Sequence, residues 1–285
     1  MRHIEASKAQ RLDQYVVAQI PVMSRSFATR LIGNGSVLVN GEPQLKAGYR
    51  LRPDDAVKID YDPVAAQQIP TLNLPILYED KDCVVINKPT GLLSHSKGAF
   101  NPESTVATWL SARTTGLDGD RAGIVHRLDR ATSGVMICAK TPAALSWLQK
   151  QFSQRKAKKT YIAVVSGQPA EDRAVIDMPI ERNPRHPQTF RVGSKGKAAV
   201  TNYKVLESDD RFSLLELQPT TGRTHQLRVH LAHLRHPILG DELYGGQAAT
   251  RLFLHAQELE ITLPNKQRKS FQAPLPPEFK KQVTS

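Results

Sequence analysis

Between Arg11 and Tyr61 the apolar positions recur first at helical and then at strand spacing. Leu12, Tyr15, Val16 and Ile20 share one face of a helix running from Arg11 to Ile20, which Pro21 stops. Ser24 is placed to cap a second helix reaching about Ile32, and Gly33-Asn34-Gly35 ends it. VLVNGEP reads as a strand closed by Asn40-Gly41, a pair that favours a type I′ hairpin turn. AVKIDY follows Pro53-Asp54-Asp55 as a last strand, completing two helices and a small β-meander. Residues 61–75 carry prolines and no periodicity, so they read as a linker.

From Ile76 strand-like and helix-like runs alternate. ILYEDKDCVVINKP reads as a hairpin, STVATWLSA as a short helix capped by Ser104, and GVMICAK as a buried strand. Pro142 sits at the first position of a helix reaching about Gln151. TYIAVVSG, AAVTNYKVLE, FSLLELQP and FLHAQELEITLP read as further strands, THQLRVHLAHLR as a helix, and the end as a Pro-rich tail. The pattern predicts an α+β chain: a small αα-β unit at 11–60, the linker at 61–75, and a larger domain at 76–280 with a mixed, largely antiparallel sheet flanked by helices.

With 40% hydrophobic residues in 285, both parts have enough apolar mass for a core. Lys and Arg outnumber Asp and Glu by 39 to 27. That excess favours a polyanionic partner, either nucleic acid or an anionic membrane surface, although charge alone leaves open a basic protein with neither. No apolar run is long enough to span a bilayer, and MRHIEASKAQ lacks the apolar core of a signal peptide. Cys83 and Cys138 each lie in an apolar run with no CxxC, which points to buried thiols in a reducing compartment. The expectation is a cytoplasmic protein without a membrane partner. Nothing demands an obligate dimer, so a monomer is expected.

The densest chemical signal is GIVHRLDRATSGVMICAKT, residues 123–141. Asp129 lies between Arg127 and Arg130, whose charges keep a carboxylate ionised. Such a group can be a nucleophile, a general base or half of a salt bridge, and the loop alone favours the salt bridge. His225, His230, His233 and His236 raise the possibility of a metal, but no acidic or cysteine ligand accompanies them, so none is expected. Ser94, His95 and Ser133 come without a G-x-S-x-G elbow, and the glycines at 33 and 35 lack the strand of a dinucleotide loop. Lys150, Arg155, Lys156, Lys158 and Lys159 form one basic run. A second strip, Arg182 to Leu206, contains no acid. Each run alone reads as a solvated surface; together they suit a folded RNA.

HRLDRATSG followed by an apolar strand resembles the catalytic motif of the RluA family of pseudouridine synthases. EDKDCVVINKPTGLLSH, KKTYIAVVSG, LQPTTGRTHQLRVHLAHLRHPILGDELYG and RLFLHAQELEI resemble that family's other motifs, in its order. RLDQYV, SRSFATRLIGNGSVLVNG and LRPDDAVKI resemble the RNA-binding domain named after small-subunit ribosomal protein S-four. The likeness implies a pseudouridine synthase catalytic domain that works without a cofactor. It gives Asp129 the role of nucleophile, Tyr161 that of base platform, and Arg228 that of charge partner to Asp129. It also places Arg127 toward the RNA and Leu254 against the base. In the small unit the likeness implies that Arg25 and Arg30, extended by Lys46, form an RNA-facing side, where the helix alone reads as a solvated basic face. HPQTFRVGSKGKAAVTNY looks closest to members acting on large-subunit ribosomal RNA, which is therefore the expected partner. A binder or assembly factor that no longer catalyses, and a synthase acting on tRNA, remain the alternatives. A pure binder would have no chemical need of the Asp129, Tyr161 and Arg228 set.

Overall fold

The structure, a computed structural model, describes residues 2–5, 9–20, 23, 25–61, 72–95, 103–117, 121 and 123–283. They fall into two compact units, one within Met1–Leu72 and His95–Thr105, the other within Asn73–Ser94 and Val106–Ser285. The expected cap Ser24 and residues 62–71 of the expected linker lie outside the described residues.

In the first unit, β1 (Arg2–Glu5) and β2 (Gln10–Arg11) precede α1 (Leu12–Gln19) and α2 (Arg25–Gly33). Leu12, Tyr15 and Val16 of α1 bury against Phe27, Ala28 and Ile32 of α2, as the helical spacing requires. Then come β3 (Val37–Val39), β4 (Glu42–Pro43), β5 (Arg50–Leu51) and β6 (Ala56–Ile59). Asn40 and Gly41 both have positive φ, 52° and 88°, the geometry of a type I′ turn. The sheet order is β1-β6-β3-β4, so the predicted meander gains an extra strand. The four-residue run RHIE shows no sequence signal; its partner β6 lies far along the chain.

The second unit is built on a nine-stranded sheet. Its elements are β7 (Ile76–Glu79), β8 (Cys83–Lys88), α3 (Val106–Ser111), β9 (Ser133–Ala139), α4 (Pro142–Ser153), β10 (Lys158–Ser166) and β11 (Arg173–Asp177). A small hairpin, β12 (Ile180–Arg182) with β13 (Phe190–Val192), stands off the sheet. After it come β14 (Val200–Ser208), β15 (Phe212–Pro219), α5 (Gln226–His233), β16 (Leu254–Thr262) and β17 (Arg268–Gln272). The order is β11-β14-β15-β10-β16-β9-β8-β7, with β17 beside β16. All neighbours pair antiparallel except β16 and β9, which run parallel. The helix α3 starts at Val106, so Thr105 rather than Ser104 holds the capping position. Thr141 caps α4, its hydroxyl accepting from Ala144 N at 3.2 Å. Strand β17 lies in the stretch read as a tail: RKSFQ buries only Phe271 and pairs along an otherwise polar edge. Cys83 and Cys138 are buried free thiols, and burial pushes both up to about 12.

The parallel seam ties the chain just past Asp129 to the start of β16. Ser133 pairs with His255 and Gly134 with Ala256. Gly134 has φ 116°, and a Cβ there would overlap the carbonyl oxygen of Ala256. Glycine is therefore required on two counts, backbone angle and close approach. Gly134→Ala is expected to lower the unfolding free energy by roughly 3 kcal/mol or more, measured by urea denaturation.

Candidate active site

The segment from Val125 to Thr132 has no regular structure, so its backbone groups need outside partners. They find them in the turn after β8. Ser94 Oγ donates to Leu128 O at 2.7 Å and accepts from Leu128 N at 3.1 Å. The Lys88 ammonium donates to Pro89 O, Leu92 O and Arg130 O at 2.9, 2.8 and 3.3 Å. Gly91 N reaches Arg130 O at 2.8 Å, and Thr90 Oγ1 reaches Ala131 O at 2.8 Å. Ser94 is thereby spent on the loop backbone rather than on nucleophilic chemistry.

Within His126-Arg127-Leu128-Asp129 the side chains alternate in role. Leu128 is buried, and the His126 ring stacks on Phe152 with centroids 4.5 Å apart. His126 Nε2 accepts from Ile137 N at 3.1 Å, and burial pushes its pKa down to about 3, so the ring is a neutral anchor. Arg127 is exposed and Asp129 half-buried. Next to them the Arg251 guanidinium donates to Ser133 Oγ, which lies 2.8 Å from His255 Nδ1. Burial holds His255 down to about 4. Above pH 6.5 this ring is neutral in both the folded and unfolded states. Between 6.5 and 4 the unfolded chain takes up a proton that the folded one refuses, so stability falls as pH drops through that window. Equilibrium unfolding against pH is expected to lose on the order of 3 kcal/mol there from this group, and His255→Gln to flatten the slope.

The facing walls come from β10, the stretch after β15, and α5. Lys159 and Tyr161, two apart on β10, both line the pocket. Tyr161 is raised above its ordinary pKa by burial and then by Asp129, so its hydroxyl stays protonated. Lys159 donates to Thr221 O at 3.1 Å, and burial lowers it to about 8. Gln226 fixes the turn beside it. Its Oε1 accepts from Thr221 Oγ1 and Arg223 N, and its Nε2 donates to Val200 O. Leu254, the first residue of β16, closes another side.

Arg228, the expected charge partner of Asp129, has a stronger commitment elsewhere. Its Nε and Nη2 donate to both oxygens of buried Asp241, at 2.7 and 2.6 Å. The remaining Nη1 lies 3.7 Å from Asp129 Oδ2. Asp241, in GDELYG, went unmarked in the sequence because nothing local ties it to a residue on α5. His225 was weighed in the sequence only as a metal ligand; its Nε2 lies 3.8 Å from the same Oδ2.

Asp129, Arg127, Tyr161, Arg228 and Leu254 thus border one pocket of about 640 Å³, ample for a nucleotide. Arg25, Arg30 and Lys46 belong to the other unit. Arg25 donates to Asp13 at 2.8 Å, Arg30 lies over the Phe27 ring at 4.8 Å, and Lys46 is exposed. Arg11 and then Arg25 hold the Asp13 carboxyl down at about 2. The histidines considered for a metal diverge: His230 bonds Thr201 and Met178 O, and His236 bonds Ser166 O. Among the described residues no group of three His, Cys, Asp or Glu could hold an ion, and no helix is long and apolar enough to cross a membrane.

Residues 82–233 match a model of the RNA pseudouridylate synthase family, and residues 10–57 match one of the S4 domain. The chain belongs to the RNA pseudouridylate synthase family. It is therefore an isomerase acting on RNA. A ribosomal large subunit pseudouridine synthase D of Xylella fastidiosa is 41% identical over 91% of this chain and 83% of its own. An uncharacterized RNA pseudouridine synthase of Synechocystis is 38% identical over 97% and 89%. Among solved structures, human RNA pseudouridylate synthase domain containing 1 superposes with a TM-score of 0.60 at 31% identity, over 73% of this synthase and 86% of that chain.

Proposed function

We propose that this synthase isomerises uridines of large-subunit ribosomal RNA in the cytoplasm, with Asp129 as the nucleophile. One observation carries the residue assignment. Among the described residues lining the pocket, Asp129 supplies the sole carboxylate, and Tyr161, half-buried, lines the same pocket. Pseudouridine formation breaks the bond from ribose carbon 1 to uracil nitrogen 1 and rejoins the sugar through carbon 5, whose proton is released. Attack on the ribose, attack on the uracil ring and removal of a ribose proton all begin from a carboxylate, and Arg228 Nη1 stands 3.7 Å from that of Asp129. Tyr161 offers an aromatic face on which the freed uracil can turn, and Leu254 an apolar contact for it. The isomerisation is redox-neutral and moves no phosphate, so it needs no cofactor. Residues 76–280 hold this chemistry. Residues 11–60 dock RNA through Arg25, Arg30 and Lys46, whose contacts to a phosphate backbone carry no base code. The linker 61–75 joins the two parts.

The choice of ribosomal RNA is supported by relatives named large-subunit synthase D, including that of Borreliella burgdorferi at 37% identity over 95% of this chain. Tritium release from uracil carbon 5 tests it, with labelled large-subunit ribosomal RNA and labelled tRNA offered in parallel to the monomeric enzyme. Release from ribosomal RNA is expected. Release from tRNA alone would move the substrate assignment.

A further inference from the structure

His225 immediately precedes α5, where a residue usually caps the helix, yet its side chain makes no capping bond. Its backbone is left-handed, φ 57° and ψ 21°, which for a residue with a Cβ persists only when the surroundings enforce it. That turn sends the imidazole into the pocket. Nδ1 lies 2.7 Å from Tyr244 Oη, and Nε2 lies 3.8 Å from Asp129 Oδ2. Phe190 and Tyr244 meet the ring edge-on, with centroids at 5.7 and 5.6 Å.

The tautomer is set by the partners. Tyr244 Oη accepts from Phe190 N at 3.0 Å and has its own proton to give to His225 Nδ1, the arrangement the carboxylate beside Nε2 favours. The imidazole proton then sits on Nε2, facing a carboxylate oxygen. The opposite tautomer would set a nitrogen lone pair against that oxygen. Arg228 Nη1 approaches the same atom, Oδ2, at 3.7 Å. Both groups make their closest approach to Oδ2, and among the described residues no hydrogen bond reaches Oδ1. Asp129, Asp241, Arg228, Arg127 and Tyr244 surround the ring; burial is the largest influence and opposes a second proton, so His225 acts as a neutral donor.

We propose that His225 is a positioning residue of the synthase: with Arg228 it secures Oδ2 of Asp129, leaving Oδ1 as the oxygen that engages the uridine. The inference rests on Asp129 being the nucleophile. The 3.8 Å approach lies just beyond hydrogen-bond range and closes when RNA fills the pocket, as catalytic contacts do on substrate binding. Tyr244 acts through His225, and hairpin β12–β13 reaches the same assembly through Phe190.

Single-turnover conversion of a labelled ribosomal RNA fragment, with RNA affinity and melting temperature measured alongside, tests this. His225→Phe is expected to slow conversion by roughly 30-fold or more with RNA Kd within about twofold. His225→Gln, which returns an N–H near the Nε2 position, should recover to within about fivefold of wild type. Tyr244→Phe should lose about tenfold alone and add nothing on top of His225→Phe, since the two act as a unit. A wild-type rate in His225→Phe, a loss confined to RNA affinity, or equal losses in the Phe and Gln variants would overturn the proposal. Asp129→Asn is the control. If it is inactive while His225→Phe stays fast, only this inference fails; if it stays active, the nucleophile assignment fails as well.

Discussion

Asp129→Asn is expected to reduce pseudouridine formation by about 10⁴-fold or more while RNA binding stays within about threefold. Asparagine matches the shape of aspartate and removes only its charge and nucleophilicity. The loop does not depend on that charge for its position. Ser94, Lys88, Thr90 and Gly91 hold it through the backbone of Leu128, Arg130 and Ala131. The variant should therefore fold normally, with an intact pocket and intact basic surroundings. Single-turnover assays scored by nucleoside chromatography give the rate, and filter binding gives the affinity. A rate within 100-fold of wild type would remove Asp129 from the chemistry.

Asp241→Ala is expected to cost about 3–5 kcal/mol of stability and most of the activity. Its side chain is 1% exposed and that of Arg228 10%, with two charge-assisted bonds of 2.7 and 2.6 Å between them. Truncating the acid leaves a buried guanidinium without its bidentate partner, the costly half of a broken pair. The freed guanidinium would also turn from its place above Tyr244, where it now lies 4.9 Å from the ring centre. Asp241→Asn keeps one acceptor and should lose less. Urea denaturation reads the first effect and single-turnover rate the second. A loss below 1 kcal/mol in the alanine variant would show that Arg228 finds another partner.

Much of this architecture was legible in the sequence because its signals are local. The apolar face of Leu12, Tyr15 and Val16, the Asn40-Gly41 turn and the Thr141-Pro142 helix start each declare themselves within a few residues. Strands made by distant pairing did not. RHIE has four residues and finds its partner at Ala56–Ile59, and RKSFQ is polar apart from Phe271. The same division runs through the pocket. Asp129 stood out as a candidate through a dense motif, whereas His225 and Asp241 gain their contacts from side chains elsewhere in the chain. Ser94 was weighed only for hydrolase chemistry and Lys88 only as the end of a hairpin, and only the fold shows them gripping the backbone on either side of Asp129.

The seam between β9 and β16 sets a timetable for synthesis. Ser133, four residues past Asp129, is held by His255, 122 positions downstream. At roughly 5–20 residues per second, a growing chain waits on the order of ten seconds between making the loop and making the strand that pairs just beyond it. During that interval the HRLD stretch has left the peptidyl transferase centre without its finished scaffold. A chain halted before Leu254, by a stalled ribosome or by a protease, therefore carries the full motif yet lacks the parallel seam that follows it.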